Sequence, residues 1–163
     1  MNAPLLTAVR SDIRGLAQAI THSQASDALS CQFSQPHWDI LATYMQPFTL
    51  NNGQVLMEQG TTDRTLYFIE SGSLSVHYKD EKARVRMAMV SAGTVLGEGT
   101  FFASQPRSAT VHAATPCKLW SLTSTRFQEM ANRHSPIALE LTLAMGAVMA
   151  KRLYNRPRRV AVT

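Results

Sequence analysis

FTLNNGQVLMEQGTTDRTLYFIESGSLSVHYKDEKARVRMAMVSAGTVLGEG, residues 48–99, decides the architecture of this chain. Its apolar runs VLM (55–57), LYFI (66–69), LSVHY (74–78) and VRMAMV (85–90) each have the length of a strand. Gly53, Gly60, Gly72 and Gly93 stand between them, and SATVHA (108–113) and KLWSL (118–122) continue the series. Short strands with regularly placed turn residues predict an all-β sandwich or barrel rather than βαβ units. Lys79-Asp80-Glu81-Lys82 lies between two of these runs and predicts a charged hairpin tip.

The pattern changes on both sides of this block. Upstream, Ile13, Leu16 and Ile20 recur at helical spacing, with Ser11 as a candidate N-cap. After the polar break THSQASD, a second helix is expected from near Pro36, with Trp38, Leu41, Ala42 and Met45 as its apolar stripe and Pro47 as its end. Downstream, helix is expected from Ser124, interrupted at His134-Ser135-Pro136. IALELTLAMGAVMAKRLYNR then reads as a long helix that is apolar nearly all round. Such a helix needs burial on more than one side. One face would cover the barrel, and the other would meet either the N-terminal helices or a second copy of the chain.

The expected organisation is therefore an N-terminal helical extension (1–32), a domain over 33–155 with its β-block at 48–123, and a basic tail (156–163). The 163 residues are 45% hydrophobic and 17% charged, which is ample for a core and unlike a disordered chain. No apolar run reaches the length of a membrane span, and Arg10 and Asp12 interrupt the N-terminus before a signal-peptide core develops. A soluble cytoplasmic protein is expected. The two cysteines, Cys31 and Cys117, form no CxxC pair and no disulfide framework. The net charge of +5 is concentrated in Lys151, Arg152, Arg156, Arg158 and Arg159. It is compatible with an anionic partner without requiring one.

Chemistry concentrates in VLGEGTFFASQPRSATV (95–111). This reads as a strand, a Gly-Glu-Gly turn, one short helical turn, Pro-Arg, and a second strand. Gly97 lets a ligand approach the backbone. Gly99 and Thr100 open the helical turn, where amide N–H groups are free for an anion. Arg107 with the Ser108 hydroxyl suits a phosphate. The Glu98 carboxylate suits a sugar hydroxyl, which donates. Together these describe a site for a sugar phosphate.

The segment resembles the phosphate-binding cassette of the cyclic-nucleotide-binding domain. This is the ligand module of the catabolite activator protein class, protein kinase A regulatory subunits and cyclic-nucleotide-gated channels. Gly53, Gly60 with Asp63, LYFIESGSLSV with Gly72, and Gly93 extend the likeness over residues 33–153. The resemblance implies a mainly β fold: an eight-stranded β-roll, jelly-roll-like, with N-terminal helices and a long C-terminal helix. It implies that Arg107 pairs with the cyclic phosphate, Ser108 and the Ala109 backbone assist, Glu98 accepts from the ribose 2′-OH, and Gly97 admits the sugar. Met149 and Arg152, on the last helix, become candidates for a base contact.

At Gly99-Thr100 the chain departs from the family's large apolar residue followed by Ala or Gly. No helix-turn-helix or other DNA-binding domain is expected after the last helix. The expectation is a non-enzymatic regulatory module, needing no cofactor, that binds cAMP or cGMP and couples it to movement of the C-terminal helix. Its expected partners are the nucleotide, an unidentified effector protein and a second copy through that helix. The alternative is a docking module of the same fold, with an empty pocket or one altered for a cyclic dinucleotide. A cupin-type metal enzyme would share the architecture, but the histidines, His22, His37, His77, His112 and His134, include no His-x-His pair. No metal site is expected.

Overall fold

A computed structural model describes residues 12–160, with side chains described as far as residue 155. Five helices and eight strands follow in the order α1 (Arg14–His22), α2 (Gln35–Tyr44), β1 (Gln46–Leu50), β2 (Val55–Met57), β3 (Thr65–Ser71), β4 (Ser73–Lys79), β5 (Val85–Ser91), β6 (Val95–Leu96), α3 (Glu98–Ala103), β7 (Thr110–Ala113), β8 (Cys117–Thr123), α4 (Ser124–Arg133) and α5 (Ser135–Val160). The strands form two antiparallel four-stranded sheets, ordered β1-β8-β3-β6 and β2-β7-β4-β5. This is the eight-stranded β-roll with flanking helices that the sequence predicts.

Alternation along the strands divides the interior in two. Leu66 and Phe68 of β3, with Trp120 and Leu122 of β8, join a core shared with the helices, through Leu16, Leu41, Met130, Leu141 and Met145. Their neighbours Ile69 and Leu119 turn the other way and meet Leu74, Val111 and Met57 of the second sheet. Strand periodicity of two thus gives the first sheet two apolar faces, one for the helices and one for the roll interior. Both tryptophans, Trp38 and Trp120, belong to the helix-side core. Trp120 is fully buried, and its indole N–H donates to Glu70 Oε2 at 2.6 Å.

Three boundaries differ from expectation. β1 begins at Gln46, so Pro47 lies inside a strand rather than ending a helix. β1 is an edge strand, where a residue without an N–H is tolerated. α5 continues to Val160, past the point at which a basic tail was expected. β7 begins at Thr110, and Ser108 lies before it. Ser11, the candidate N-cap of the first helix, is outside the described residues, as are the side chains of Arg156, Arg158 and Arg159. The N-cap is Ile13, and Asp12 just before it accepts from the Arg14 N–H at 3.0 Å. At α4 the N-cap is Thr123, whose hydroxyl accepts from the Arg126 N–H at 3.2 Å. The hairpin tip between β4 and β5 is organised by Asp80, which accepts from the backbone of Lys82 and Arg84 and from the side chains of Arg84 and Arg86.

Candidate ligand-binding site

β6 is only two residues long and pairs with β3. It ends at Gly97, which has φ +92°, a conformation that favours glycine. A Cβ there would lie 2.3 Å from Arg107 Nη1 and 2.5 Å from the Thr65 carbonyl oxygen, so the position needs glycine for space as well. The turn delivers Glu98 at the start of α3, and Phe101 fastens that helix into the helix-side core. Ser104, at φ +54°, ends α3, and the chain returns through Pro106 to Arg107.

Arg107 is 3% exposed. Its backbone is clamped by two hydrogen bonds to the turn before β3: Gly60 N–H to the Arg107 carbonyl at 2.8 Å, and Arg107 N–H to the Thr61 carbonyl at 2.7 Å. Its guanidinium donates to Asp63 Oδ2 (2.7 Å, Nη2), Asp63 Oδ1 (3.4 Å, Nε), the Thr65 carbonyl (2.9 Å, Nη2) and the Gly97 carbonyl (3.2 Å, Nη1). A guanidinium has five N–H donors, so one, on Nη1, is left over. The Arg107 hydrogen bond holds the Asp63 carboxyl below its usual range. Burial, and next the Asp63 charge, push the Tyr67 hydroxyl up, and the Arg107 guanidinium lies over that ring at 5.7 Å. Arg64, beside Asp63, donates to the Phe101 carbonyl at 3.1 and 2.7 Å. Residues 63–65 therefore grip both the helical turn and the arginine.

Glu98 meets a different cation. Arg152, reaching back from α5, donates to Glu98 Oε1 at 2.5 Å, to Asp27 Oδ2 at 2.8 Å and to the Val95 carbonyl at 2.7 Å. Burial opposes the Arg152 charge, but Glu98 and Asp27 outweigh it and the group stays above its ordinary value. Two segments far apart in sequence, the Asp27 loop and α5, thus close over the Gly-Glu turn.

The structure brings Gly97, Glu98 and Arg107 to one place. Gly99 is exposed on α3 with open space around it, Thr100 is buried, Ser108 is exposed and Ala109 is buried. Arg152 is at the site, engaged with carboxylates. Met149, three residues earlier on α5, is half-buried. In the sequence Asp63 stands out only as a turn residue, and Asp27 not at all. Asp63 has a local signal, an acid three residues after Gly60, which closes the turn segment Glu58–Gly60. Asp27 has none. Two open grooves, of about 400 and 430 Å³, share residues with this region: Thr65 and Tyr67 in one, Arg64, Phe101 and Phe102 in the other. Elsewhere His77 and His112 stack at 4.5 Å, and Ser75 Oγ is hydrogen-bonded to His77 Nε2. Among the described residues no group of three His, Cys, Asp or Glu side chains could hold a metal ion. No described helix is long and apolar enough to cross a membrane.

Residues 47–134 match the family model of the cyclic nucleotide-binding domain. The cAMP-activated global transcriptional regulator CRP of Escherichia coli O6:H1 is 34% identical over 107 residues, covering 64% of this chain and 49% of that protein. The cGMP-dependent protein kinase of Plasmodium berghei is 29% identical over 98 residues, covering 58% of this chain and 11% of the kinase. The chain spans about half the length of the CRP relatives it matches. Among solved structures, a cyclic nucleotide-binding domain from Methylobacillus flagellatus superposes with a TM-score of 0.80 at 18% identity, covering 91% of this chain and 82% of that one. The c-di-GMP-responsive global regulator CLP of Xanthomonas campestris gives a TM-score of 0.68 at 23% identity, covering 78% and 63%. At these identities the structural likeness is one of fold. The family match, which takes in Gly97, Glu98 and Arg107, extends over more than half of the chain, and the chain belongs to the cyclic nucleotide-binding domain family.

Proposed function

We propose that this chain is a non-enzymatic cytoplasmic sensor whose ligand is a cyclic nucleotide, cAMP or cGMP, and whose response passes through α5. One observation carries the reading: Arg107 is buried, clamped by its backbone and seated against Gly97, one residue from Glu98. A cation is seldom enclosed in this way unless paired, and here a half-exposed carboxylate and two carbonyls hold it. An entering phosphate takes the remaining Nη1 donor and competes with Asp63 for the others. Ser108 adds a hydroxyl at the exposed rim, and the Ala109 backbone lies next to it. Glu98 Oε2 accepts from the ribose 2′-OH. Because Arg152 joins Glu98 to α5, a change at Glu98 reaches the helix directly. Ligand shifts the helix only by the difference in its affinity for the two helix positions.

The same reading includes a second copy of the chain. Leu139, Leu143 and Leu153 are 61%, 66% and 64% exposed on α5. With Gly146 and Ala150, both exposed, they recur at spacings of four, three, four and three. That spacing suits the seam of a two-stranded pairing of helices, with small residues at its centre. Sedimentation of the parent and of Leu143→Glu tests it: a dimer is expected for the parent and a monomer for the variant.

The ligand is tested by calorimetric titration of nucleotide-stripped protein with cAMP, cGMP and a cyclic dinucleotide. Micromolar or tighter binding of cAMP or cGMP, lost in Arg107→Ala, is expected. Binding of the dinucleotide alone would replace the ligand assignment. Binding of none would overturn the sensor reading in favour of a docking module, and undiminished binding by Arg107→Ala would overturn the assignment of the phosphate to Arg107.

A further inference from the structure

The segment that matches the family ends at residue 134 and begins at 47. It contains Glu98 but neither Arg152, which holds Glu98, nor Asp27, which holds Arg152. We propose that Asp27 is a positioning residue of the ligand site, acting through Arg152 to orient Glu98 toward the sugar hydroxyl. The inference rests on the cyclic-nucleotide reading above.

Asp27 lies in the connection between α1 and α2, in a part of the chain with no strand or family signature. It is 9% exposed. Its loop is fixed: the Leu29 N–H donates to the Gly93 carbonyl at 3.0 Å, Ala28 N–H to the Ala25 carbonyl at 3.1 Å, and Leu29 is buried in the helix-side core. An enclosed carboxylate on a fixed loop is aimed at one guanidinium nitrogen, Arg152 Nε. Arg152 has a long side chain with many rotamers, and a single partner would leave its plane free to turn. Its three acceptors lie on three different segments: Asp27 on the N-terminal loop, Val95 on β6 and Glu98 on α3. Three acceptors in three directions fix the plane of the guanidinium and hence the place of Glu98 Oε1. Oε2 is then the oxygen presented to a donor.

Electrostatics acts in the same direction as geometry. One guanidinium faces two carboxylates, so Asp27 takes part of the positive charge that Glu98 would otherwise absorb. Glu98 remains the stronger acceptor for a neutral hydroxyl. Removing the Asp27 charge leaves the Arg152 charge to Glu98 alone, which weakens that acceptor, and leaves the guanidinium held only by Glu98 and the Val95 carbonyl, with Nε unfixed. Both consequences fall on the 2′-OH and neither on the phosphate, which belongs to Arg107.

The readout that separates positioning from general damage is therefore discrimination between ribose and deoxyribose. Calorimetric titrations use the full chain with cAMP, 2′-deoxy-cAMP, cGMP and 2′-deoxy-cGMP. For the parent, the ribonucleotide is expected to bind about tenfold more tightly than its 2′-deoxy counterpart, as for one hydrogen bond to a charged acceptor. Asp27→Asn is expected to remove most of that ratio by weakening the ribonucleotide while leaving the deoxynucleotide unchanged. Asp27→Glu, which keeps the charge, is expected to restore part of it. Arg152→Lys, which keeps a charge but loses the fork, is expected to lose it as Asp27→Asn does, and it serves in place of Asp27→Asn should that variant not fold. Equal weakening of both ligands in Asp27→Asn, or an unchanged ratio, would overturn the role of Asp27 while leaving the sensor reading intact. A parent that binds none of the four would overturn the sensor reading and this inference together.

Discussion

Arg107 and Arg152 are both enclosed cations near one Gly-Glu turn, and they are built in opposite ways. Arg107 takes its partners from one compact region: Asp63, Thr65 and Gly97, all within the β-roll. Its seat includes backbone carbonyls that do not move unless the sheets move. Arg152 takes its partners across sequence separations of 125, 54 and 57 residues. Two of the three are side-chain carboxylates, Asp27 and Glu98, carried on separate segments of the chain. The roll alone accounts for the first seat, whereas the second exists only when the N-terminal loop, the cassette and α5 are assembled. On the proposed reading the phosphate end of the site is held by the roll alone and the ribose end depends on the assembly of all three segments, the arrangement a sensor needs if occupancy is to be felt outside the roll.

The largest test of this contrast is Arg107→Ala. It should lower cyclic-nucleotide affinity by about 3 kcal/mol, roughly a hundredfold, because a desolvated phosphate loses its charged donors. Arg152→Ala should cost about a tenth of that factor in affinity, as for a single hydrogen-bonded contact. Equal losses, measured by calorimetry, would erase the distinction between the two ends. Next, Gly97→Ala should reduce folding stability by about 2 kcal/mol in urea denaturation, through left-handed strain and the clash with Arg107 and Thr65. The Arg152 contacts should survive in that variant, since the added methyl points to the other arginine.

Arg152→Met should then reduce stability by roughly 1–2 kcal/mol, less than the full cost of breaking a buried pair because the group keeps some exposure. It leaves Glu98 and Asp27 without their counter-charge. The smallest effect belongs to Asp63→Asn, about 1 kcal/mol or less, since Asp63 is half exposed. Its pH dependence has a definite sign. The Asp63 carboxyl lies below its ordinary value of 3.8 in the folded protein. Its contribution is therefore complete above that value and fades as pH falls through the lower folded value. Melts of parent and variant should differ at pH 7 and converge in acid. A difference that persisted unchanged at pH 2 would mean that Asp63 acts without its charge.

The two arginines also mark how far the sequence could be read. Arg107 sits in a local pattern, Pro-Arg-Ser after a Gly-Glu turn, and the strands around it carry period-two alternation punctuated by glycine. The roll and the cassette were legible for that reason. β1 was obscured because Pro47 is equally suited to ending a helix and to opening an edge strand. Asp27 could not be found, because nothing near Ala25–Leu29 reveals a partner 125 residues away. Arg152 was read as part of a basic end and as a base contact, since local sequence gives the charge of a residue but not the carboxylates waiting for it. Polar contacts between distant helices have no periodicity, and folding alone makes them visible.

The position of the two tryptophans has a practical consequence. Trp38 and Trp120 are the only two in the chain, and both lie in the core beneath the helices rather than in the roll interior. Tryptophan emission, unlike that of Tyr67 beside the roll-interior core, thus reports the packing of the helix-side layer. Emission that changes on adding nucleotide reports helix displacement, while heat without an emission change reports occupancy alone. The protein carries its own unlabelled optical gauge of coupling, separate from binding.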